Sequence, residues 1–237
     1  MKIQPFGDRA LIISFEKKID EAINQEVIHF YHILKNSGQF TFLTPAYCSL
    51  TVGIDRTKFT ISEATECIRS LANSDKSIQR VSNRTITIPV CYNESFGIDL
   101  AEVAQYTQRS IDQVIKLHTE TPFRVFMLGF VAGFAYMGTL PAALECPRKQ
   151  TPRKSVPKGA VGLAGQQTGI YPVSAPGGWQ IIGQTPLNMF DTKKEQPNLL
   201  LPGDTVKFRP INMDEFKLIS IKVETDIYAL EMEEGHD

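Results

Sequence analysis

The sequence lacks the short motifs that identify many common classes of enzyme. It contains no GxxxxGK[ST] phosphate loop, no GxSxG nucleophile elbow and no HExxH zinc motif. Its four cysteines form no CxxC pair, so we expect no bound metal and no thioredoxin-type centre. A net charge of −1 gives no electrostatic reason to expect nucleic acid or a membrane as partner. The N-terminus also lacks an apolar run of signal-peptide length, so we expect a cytoplasmic protein.

Charge is missing from one long stretch of the chain. Residues 159–190 contain no Asp, Glu, Lys or Arg, and the wider segment 126–186 holds 10 of the 16 glycines and 7 of the 14 prolines. The prolines, amides and hydroxyls argue against a membrane span, which needs about 20 predominantly apolar residues. Because glycine and proline at fixed places specify turns, we expect a wall of turns around a pocket.

The first eighty residues alternate between short strands and helices. We predict strands over 9–15, 39–43, 47–54 and 78–81, with a turn at Thr44-Pro45. Apolar residues at helical spacing predict helices over 20–35 and after Ser62, which is a suitable N-cap. The order β-α-β-β-α-β is that of a small ferredoxin-like domain.

The remainder of the chain begins with a strand at 84–90 and two short helices. Capping boxes predict that Asp99 with Glu102 opens the first helix and Ser110 with Gln113 the second. Short apolar runs between Gly/Pro turns then follow the pattern of a β-barrel or sandwich. These runs lie at 124–130, 159–164, 179–182, 205–208 and 216–223.

Three groups of side chains in this part of the chain are candidates for function. His118 ends a helix, where it either reaches a pocket or simply caps the helix C-terminus. The basic segment 148–158 is either solvated or an anion clamp, with Arg153 as the best candidate for bidentate contact. The neutral group Gln166, Gln167, Thr168, Tyr171 and Trp179 either binds a small polar ligand such as a lactam or fills the barrel core.

Several motifs, in order along about residues 7–210, resemble those of one family. They are GDRAL at 7–11, YCSLTV at 47–52, IPVCY at 88–92, FGIDLAEVA at 96–104, AGQQTGIYP at 164–172 and PGGWQIIGQTP at 176–186. The chain thereby resembles the KipI/allophanate hydrolase subunit 1 family, also described as carboxyltransferase domain, subdomains C and D. Gln184 departs from the family pattern, which has an arginine there.

The resemblance implies an α+β protein of two domains, a ferredoxin-like α/β domain at 1–83 and a cyclophilin-like β-barrel domain at 84–230. It implies that the chain is the B subunit of a complex that hydrolyses 5-oxoproline to glutamate with ATP, and that this subunit is inactive alone. The implied partners are an allophanate hydrolase subunit 2-like protein and a LamB/YcsF-like protein, and the ATP is used by the complex, since no cofactor is expected on this chain. Family members also suggest two alternatives, an inhibitor of a sensor histidine kinase and a carboxyltransferase or allophanate hydrolase-related subunit.

Motif positions supply the expected site residues. As catalytic residues the resemblance implies His118 and Arg153. As substrate-binding residues it implies Arg124, Phe130, Phe134, Tyr136, Gln166, Thr168, Gly169, Tyr171, Gly177, Gly178 and Trp179.

Overall fold

The computed structural model describes residues 1–74 and 84–234, and the chain divides into two compact units, Met1–Ser82 and Asn83–Asp237. The predicted domain boundary and the predicted strand at 78–81 lie outside the described residues. Together the described elements form a mixed α+β protein. None of the described helices has the length and apolar character needed to cross a membrane.

The N-terminal unit is a four-stranded sheet with two helices. Its elements are β1 (Lys2–Pro5), β2 (Ala10–Ser14), α1 (Glu21–Ser37), β3 (Leu43–Pro45), β4 (Ser49–Gly53) and α2 (Ile61–Ser74). The strands are antiparallel in the order β1-β2-β4-β3. One face is apolar and its core combines strand and helix residues: Leu11, Ile13, Val27, Leu34, Leu50, Val52, Ile54, Ala64 and Ile68.

The N-terminal sheet differs from the predicted order of elements. Strand β1 precedes the predicted first strand, and it was missed because it is short and largely exposed and ends in proline. The ferredoxin-like order is therefore not confirmed. The predicted turn at Thr44-Pro45 is wrong, because both residues lie in β3 and the chain reverses after them.

Helix ends in this unit follow capping chemistry. Asp20 caps α1 by accepting hydrogen bonds from the backbone N–H groups of Ala22 and Ile23. Ser62 is not the N-cap of α2, because the helix begins at Ile61 and Thr60 caps it. Glu63 N donates to Thr60 Oγ1 at 3.2 Å and Thr60 N donates to Glu63 Oε2 at 2.7 Å, which together form a capping box.

The C-terminal unit is a closed barrel. Its strands are β5 (Arg84–Cys91), β6 (Phe123–Leu128), β7 (Ala135–Gly138), β8 (Arg153–Val156), β9 (Ala160–Ala164), β10 (Gln167–Ile170), β11 (Ala175–Gly177), β12 (Gln180–Gln184), β13 (Thr205–Ile211) and β14 (Met232–Glu234). Seven strands follow the order β12-β9-β10-β7-β6-β13-β5, and pairing of β12 with β5 closes the ring. Strand β14 adds to the edge of β5, and β8 and β11 form a separate two-stranded sheet.

Within the described residues, three α-helices and one short 3₁₀ helix (Ala142–Leu144) accompany the barrel. The α-helices are α3 (Leu100–Tyr106), α4 (Ile111–Glu120) and α5 (Met213–Glu224), and two predictions about them are wrong. The run 216–223 is helical rather than extended, because Asn212 caps the helix and Phe216, Ile219 and Val223 recur at helical spacing. Asp99 precedes α3 but forms no side-chain cap, whereas the predicted box of Ser110 and Gln113 on α4 is confirmed.

Strand alternation separates two apolar layers in the C-terminal unit. Val161, Leu163 and Ile170 belong to the large core that fills the barrel. Their neighbours Ala160 and Ala164 belong to a smaller cluster with Phe134, Val156, Tyr171, Ala175, Trp179 and Ile181. Because successive side chains of a strand point to opposite faces, this second cluster lies on the outside of the barrel wall.

Candidate functional site

A cavity of about 490 Å³ is associated with this outer apolar layer. Its walls come from β7, β9, β10 and β11 and from the segment that precedes β8. The lining residues are Phe130, Phe134, Tyr136, Pro147, Arg148, Ala164, Gly165, Gln167, Tyr171, Pro176, Gly177 and Trp179.

Phe134 is the centre of an aromatic cluster in the cavity wall. Its ring centroid lies 4.8 Å from that of Tyr136, 5.1 Å from Tyr171 and 5.4 Å from Trp179, in edge-to-face geometry. Phe130 packs edge-on against it at 5.7 Å and is 60% exposed. Edge-to-face pairs each contribute about 0.5–1.5 kcal/mol beyond burial, so the cluster holds the wall in one shape.

Two glycines of the uncharged stretch make room for these rings. A Cβ on Gly169 would lie 3.0 Å from both Phe134 Cζ and Trp179 Cζ3. A Cβ on Gly177 would collide with the hydroxyl of Tyr171. Glycine at these two positions therefore lets the aromatic side chains lie directly on the backbone.

The electrostatics of the cavity are set by one cation and two neutral phenols. Burial raises the pKa of Tyr136 and of Tyr171, while the nearby positive charge of Arg148 partly opposes both shifts. Both hydroxyls are therefore protonated at neutral pH. Among the lining residues there is no carboxylate, histidine, cysteine or serine.

Arg148 is held on a fixed backbone. The carbonyl of Cys146 accepts from Gly165 N at 2.7 Å, and that of Pro147 accepts from Gln180 Nε2 at 3.2 Å. On the other side, Lys149 N donates to Gly178 O at 2.7 Å. The side chain of Arg148 is exposed, and it pairs with no carboxylate among residues 1–74 and 84–234.

Two neighbouring cations, Lys149 and Arg153, are paired with carboxylates. The buried carboxylate of Asp99 accepts from Arg153 Nη2 at 2.5 Å, from Lys149 Nζ at 3.0 Å and from Ile181 N at 2.7 Å. Lys149 also pairs with Glu102 at 2.6 Å, and this hydrogen bond raises the pKa of Lys149. Arg153, the best candidate if the basic segment is an anion clamp, is thus an internal ion-pair partner and does not line the cavity.

His118 lies inside the barrel rather than at the cavity. It is fully buried and stacks on Phe208 at 4.4 Å. Tyr92 Oη lies 2.8 Å from its Nδ1, and Thr168 Oγ1 lies 2.9 Å from its Nε2. Because Thr168 donates onward to Gly162 O, its hydroxyl accepts from His118, which assigns the proton to Nε2. Desolvation by burial lowers the pKa of His118 to about 3, so the ring is neutral.

The structure brings together six of the expected site residues and separates the others. Those at the cavity are Phe130, Phe134, Tyr136, Tyr171, Gly177 and Trp179. Those outside its lining are His118, Arg124, Arg153, Gln166, Thr168, Gly169 and Gly178. Arg124 and Thr168 are buried in barrel strands, and Gln166 donates to Glu145 at 2.9 Å in a turn.

Six lining residues are not among those that the resemblance implies: Pro147, Arg148, Ala164, Gly165, Gln167 and Pro176. Two of them had been singled out from the sequence, Gln167 in the neutral group and Arg148 in the basic segment 148–158. In β10, Thr168 and Ile170 point into the barrel, so alternation places Gln167 and Gly169 on the outer face.

Comparison with known proteins identifies the family. Residues 1–200 match the family described as carboxyltransferase domain, subdomain C and D. The chain belongs to this family. It is 39% identical over 229 residues to the B subunit of 5-oxoprolinase from Bacillus subtilis (strain 168), covering 91% of this chain and 95% of that protein. It is 36% identical over 204 residues to the B subunit of 5-oxoprolinase from Escherichia coli O157:H7, covering 86% and 93%.

A solved structure has a similar fold. The crystal structure of TTHA0988 matches with a TM-score of 0.77 at 32% identity over 86% of this chain. The chain spans 40% of the length of that protein.

Within the described part of the chain, no group of three or more His, Cys, Asp or Glu side chains could hold a metal ion.

Proposed function

We propose that this chain is the B subunit of a cytoplasmic, ATP-dependent 5-oxoprolinase complex that converts 5-oxoproline to glutamate. The observation that carries the proposal is the 39% identity to the B subunit of a 5-oxoprolinase over 95% of that protein's length. Because this match includes both compact units, it concerns the whole subunit rather than a shared module.

The cavity lined by the aromatic cluster, called the aromatic cavity below, is the proposed ligand site of the subunit. Its aromatic edges and the side chain of Gln167 suit a small ring that carries an amide, since apolar walls with few polar groups favour such ligands. At about 490 Å³ it is larger than a five-membered lactam, which leaves room for groups from a partner.

The chemistry of the cavity wall supports a subunit that is inactive alone. Hydrolysis of an amide needs an activated nucleophile and a proton acceptor. The lining supplies neither, because its two phenols have raised pKa values and Arg148 is a permanent cation. His118 is enclosed in the barrel and Arg153 is bound to Asp99, so neither serves this cavity. The missing groups would come from an allophanate hydrolase subunit 2-like partner and a LamB/YcsF-like partner, and ATP would be consumed by the complex.

We also propose that residues 1–83 form a ferredoxin-like domain and that residues 84–230 form a cyclophilin-like barrel domain. The closed seven-stranded ring supports the second of these.

Co-expression with the two partner proteins tests the proposal. We expect the purified three-protein complex to form glutamate from 5-oxoproline only when ATP is present, and this chain alone to form none. The matched control is a preparation of the two partners without this chain. Undiminished glutamate formation in that control would contradict the proposed role.

A further inference from the structure

Arg148 is the one cation of the basic segment 148–158 that lines the aromatic cavity. Lys149 and Arg153 are both bound to Asp99, at 3.0 and 2.5 Å. Arg148 lines the aromatic cavity, and no carboxylate among the described residues pairs with it. The segment therefore places a single uncompensated guanidinium beside an otherwise neutral cavity.

The backbone around Arg148 is fixed before any ligand arrives. Hydrogen bonds from Gly165, Gln180 and Lys149 hold the chain on both sides of it. The ion pairs of Lys149 to Asp99 and Glu102 add a second restraint next to it in sequence. A residue on such a backbone loses less conformational freedom when it binds, and this strengthens the contact it makes.

We propose that Arg148 selects ligands with one carboxylate for the aromatic cavity, binding that carboxylate while the rings hold the apolar part of the molecule. A guanidinium presents two parallel N–H donors that match the two oxygens of a carboxylate. The preferred ligands are small rings that carry a single carboxylate. The inference rests on the proposed function for the identity of that ring, 5-oxoproline, but not for the charge that it must carry.

Trp179 provides the assay, because it is the only tryptophan of the chain and it lines the cavity. We would titrate the full chain with 5-oxoproline and with 2-pyrrolidinone, which has the same lactam ring without the carboxylate, and follow tryptophan fluorescence. Arg148→Gln is compared with Lys154→Gln. Lys154 is an exposed cation of β8 outside the cavity lining, so both variants remove one positive charge.

We expect Arg148→Gln to weaken 5-oxoproline binding by about ten- to a hundredfold, the range for loss of a charge-assisted hydrogen bond. Lys154→Gln should bind like the wild type, and the weak binding of 2-pyrrolidinone should be the same in all three proteins. Equal affinities of the wild type and Arg148→Gln for 5-oxoproline, or equal losses in both variants, would overturn the inference.

A second ligand pair separates this inference from the proposed function. Pyrrole-2-carboxylate and pyrrole also differ by one carboxylate but are not substrates of a 5-oxoprolinase. If binding of pyrrole-2-carboxylate depends on Arg148 while 5-oxoproline neither binds nor is hydrolysed by the complex, the charge selection stands and the proposed function fails. If the complex hydrolyses 5-oxoproline with the same KM in wild type and Arg148→Gln, the function stands and the selection by Arg148 is refuted. Absence of Arg148-dependent binding for both carboxylates also refutes it.

Discussion

Replacing Asp99 with alanine is expected to destabilise the C-terminal unit strongly. The buried carboxylate accepts from two cations and from the backbone N–H of Ile181, which is itself buried. Breaking a fully buried ion pair from one side costs about 3–5 kcal/mol. Here the side chains of Arg153 and Lys149 are 25% and 19% exposed, so solvent relieves part of that penalty. Including the unpaired N–H of Ile181, we expect a loss of about 3 kcal/mol in the free energy of unfolding.

Urea unfolding followed by Trp179 fluorescence measures this loss, because the only tryptophan lies in the C-terminal unit. With an m value of about 2 kcal/mol per molar urea, the midpoint should fall by about 1.5 M. Glu102→Ala is the matched control, since Glu102 pairs with the same Lys149 but is 58% exposed and should cost about 0.5 kcal/mol. A midpoint shift for Asp99→Ala no larger than that of the control would refute the account of this ion-pair cluster.

Two further predictions concern buried groups of the same unit. His118 has a folded-state pKa of about 3 against 6.5 unfolded, so the unfolded chain binds the extra proton and stability is lost as pH falls through this window. Between pH 7 and 5.5 the wild type should lose about 1 kcal/mol more than His118→Gln, measured by urea unfolding at each pH; equal losses would contradict the buried neutral ring. Gly177→Ala should cost about 1–3 kcal/mol in thermal or urea unfolding by displacing Tyr171, whereas Gly178→Ala, whose Cβ would meet only ordinary contacts, should cost little. Similar stability of the two alanine variants would show that the close approach at Gly177 is not required.

The local pattern of the sequence was sufficient for most strands of the barrel. Apolar runs between Gly/Pro turns predict the strands near 124–130, 159–164, 179–182 and 205–208, and the structure has strands there. The strand predicted over 216–223 is wrong because an eight-residue run with five apolar residues fits both a strand and two turns of helix. The polar N-terminal cap at Asn212 is the feature that decides between them.

At the candidate site, the partners of several side chains could not be predicted from the local sequence pattern. The aromatic residues of the expected site lie together because β7, β10 and β12, which carry or adjoin them, belong to one sheet. The choice between Arg148 and Arg153 depends on Asp99, which is 54 residues from Arg153 in the sequence and reaches it only in the folded barrel. His118 is similar, since its partners Tyr92 and Thr168 are 26 and 50 residues away. Such partners are set by tertiary packing, and the spacing of residue types along one sequence does not contain them.

The most direct test of the central claim is a structure of the assembled complex with 5-oxoproline bound. We expect the lactam ring in the aromatic cavity against Phe134 and Trp179, with its carboxylate facing Arg148 and with reactive groups supplied by a partner protein. Ligand bound entirely within the partner proteins, with the aromatic cavity of this chain unoccupied, would contradict it.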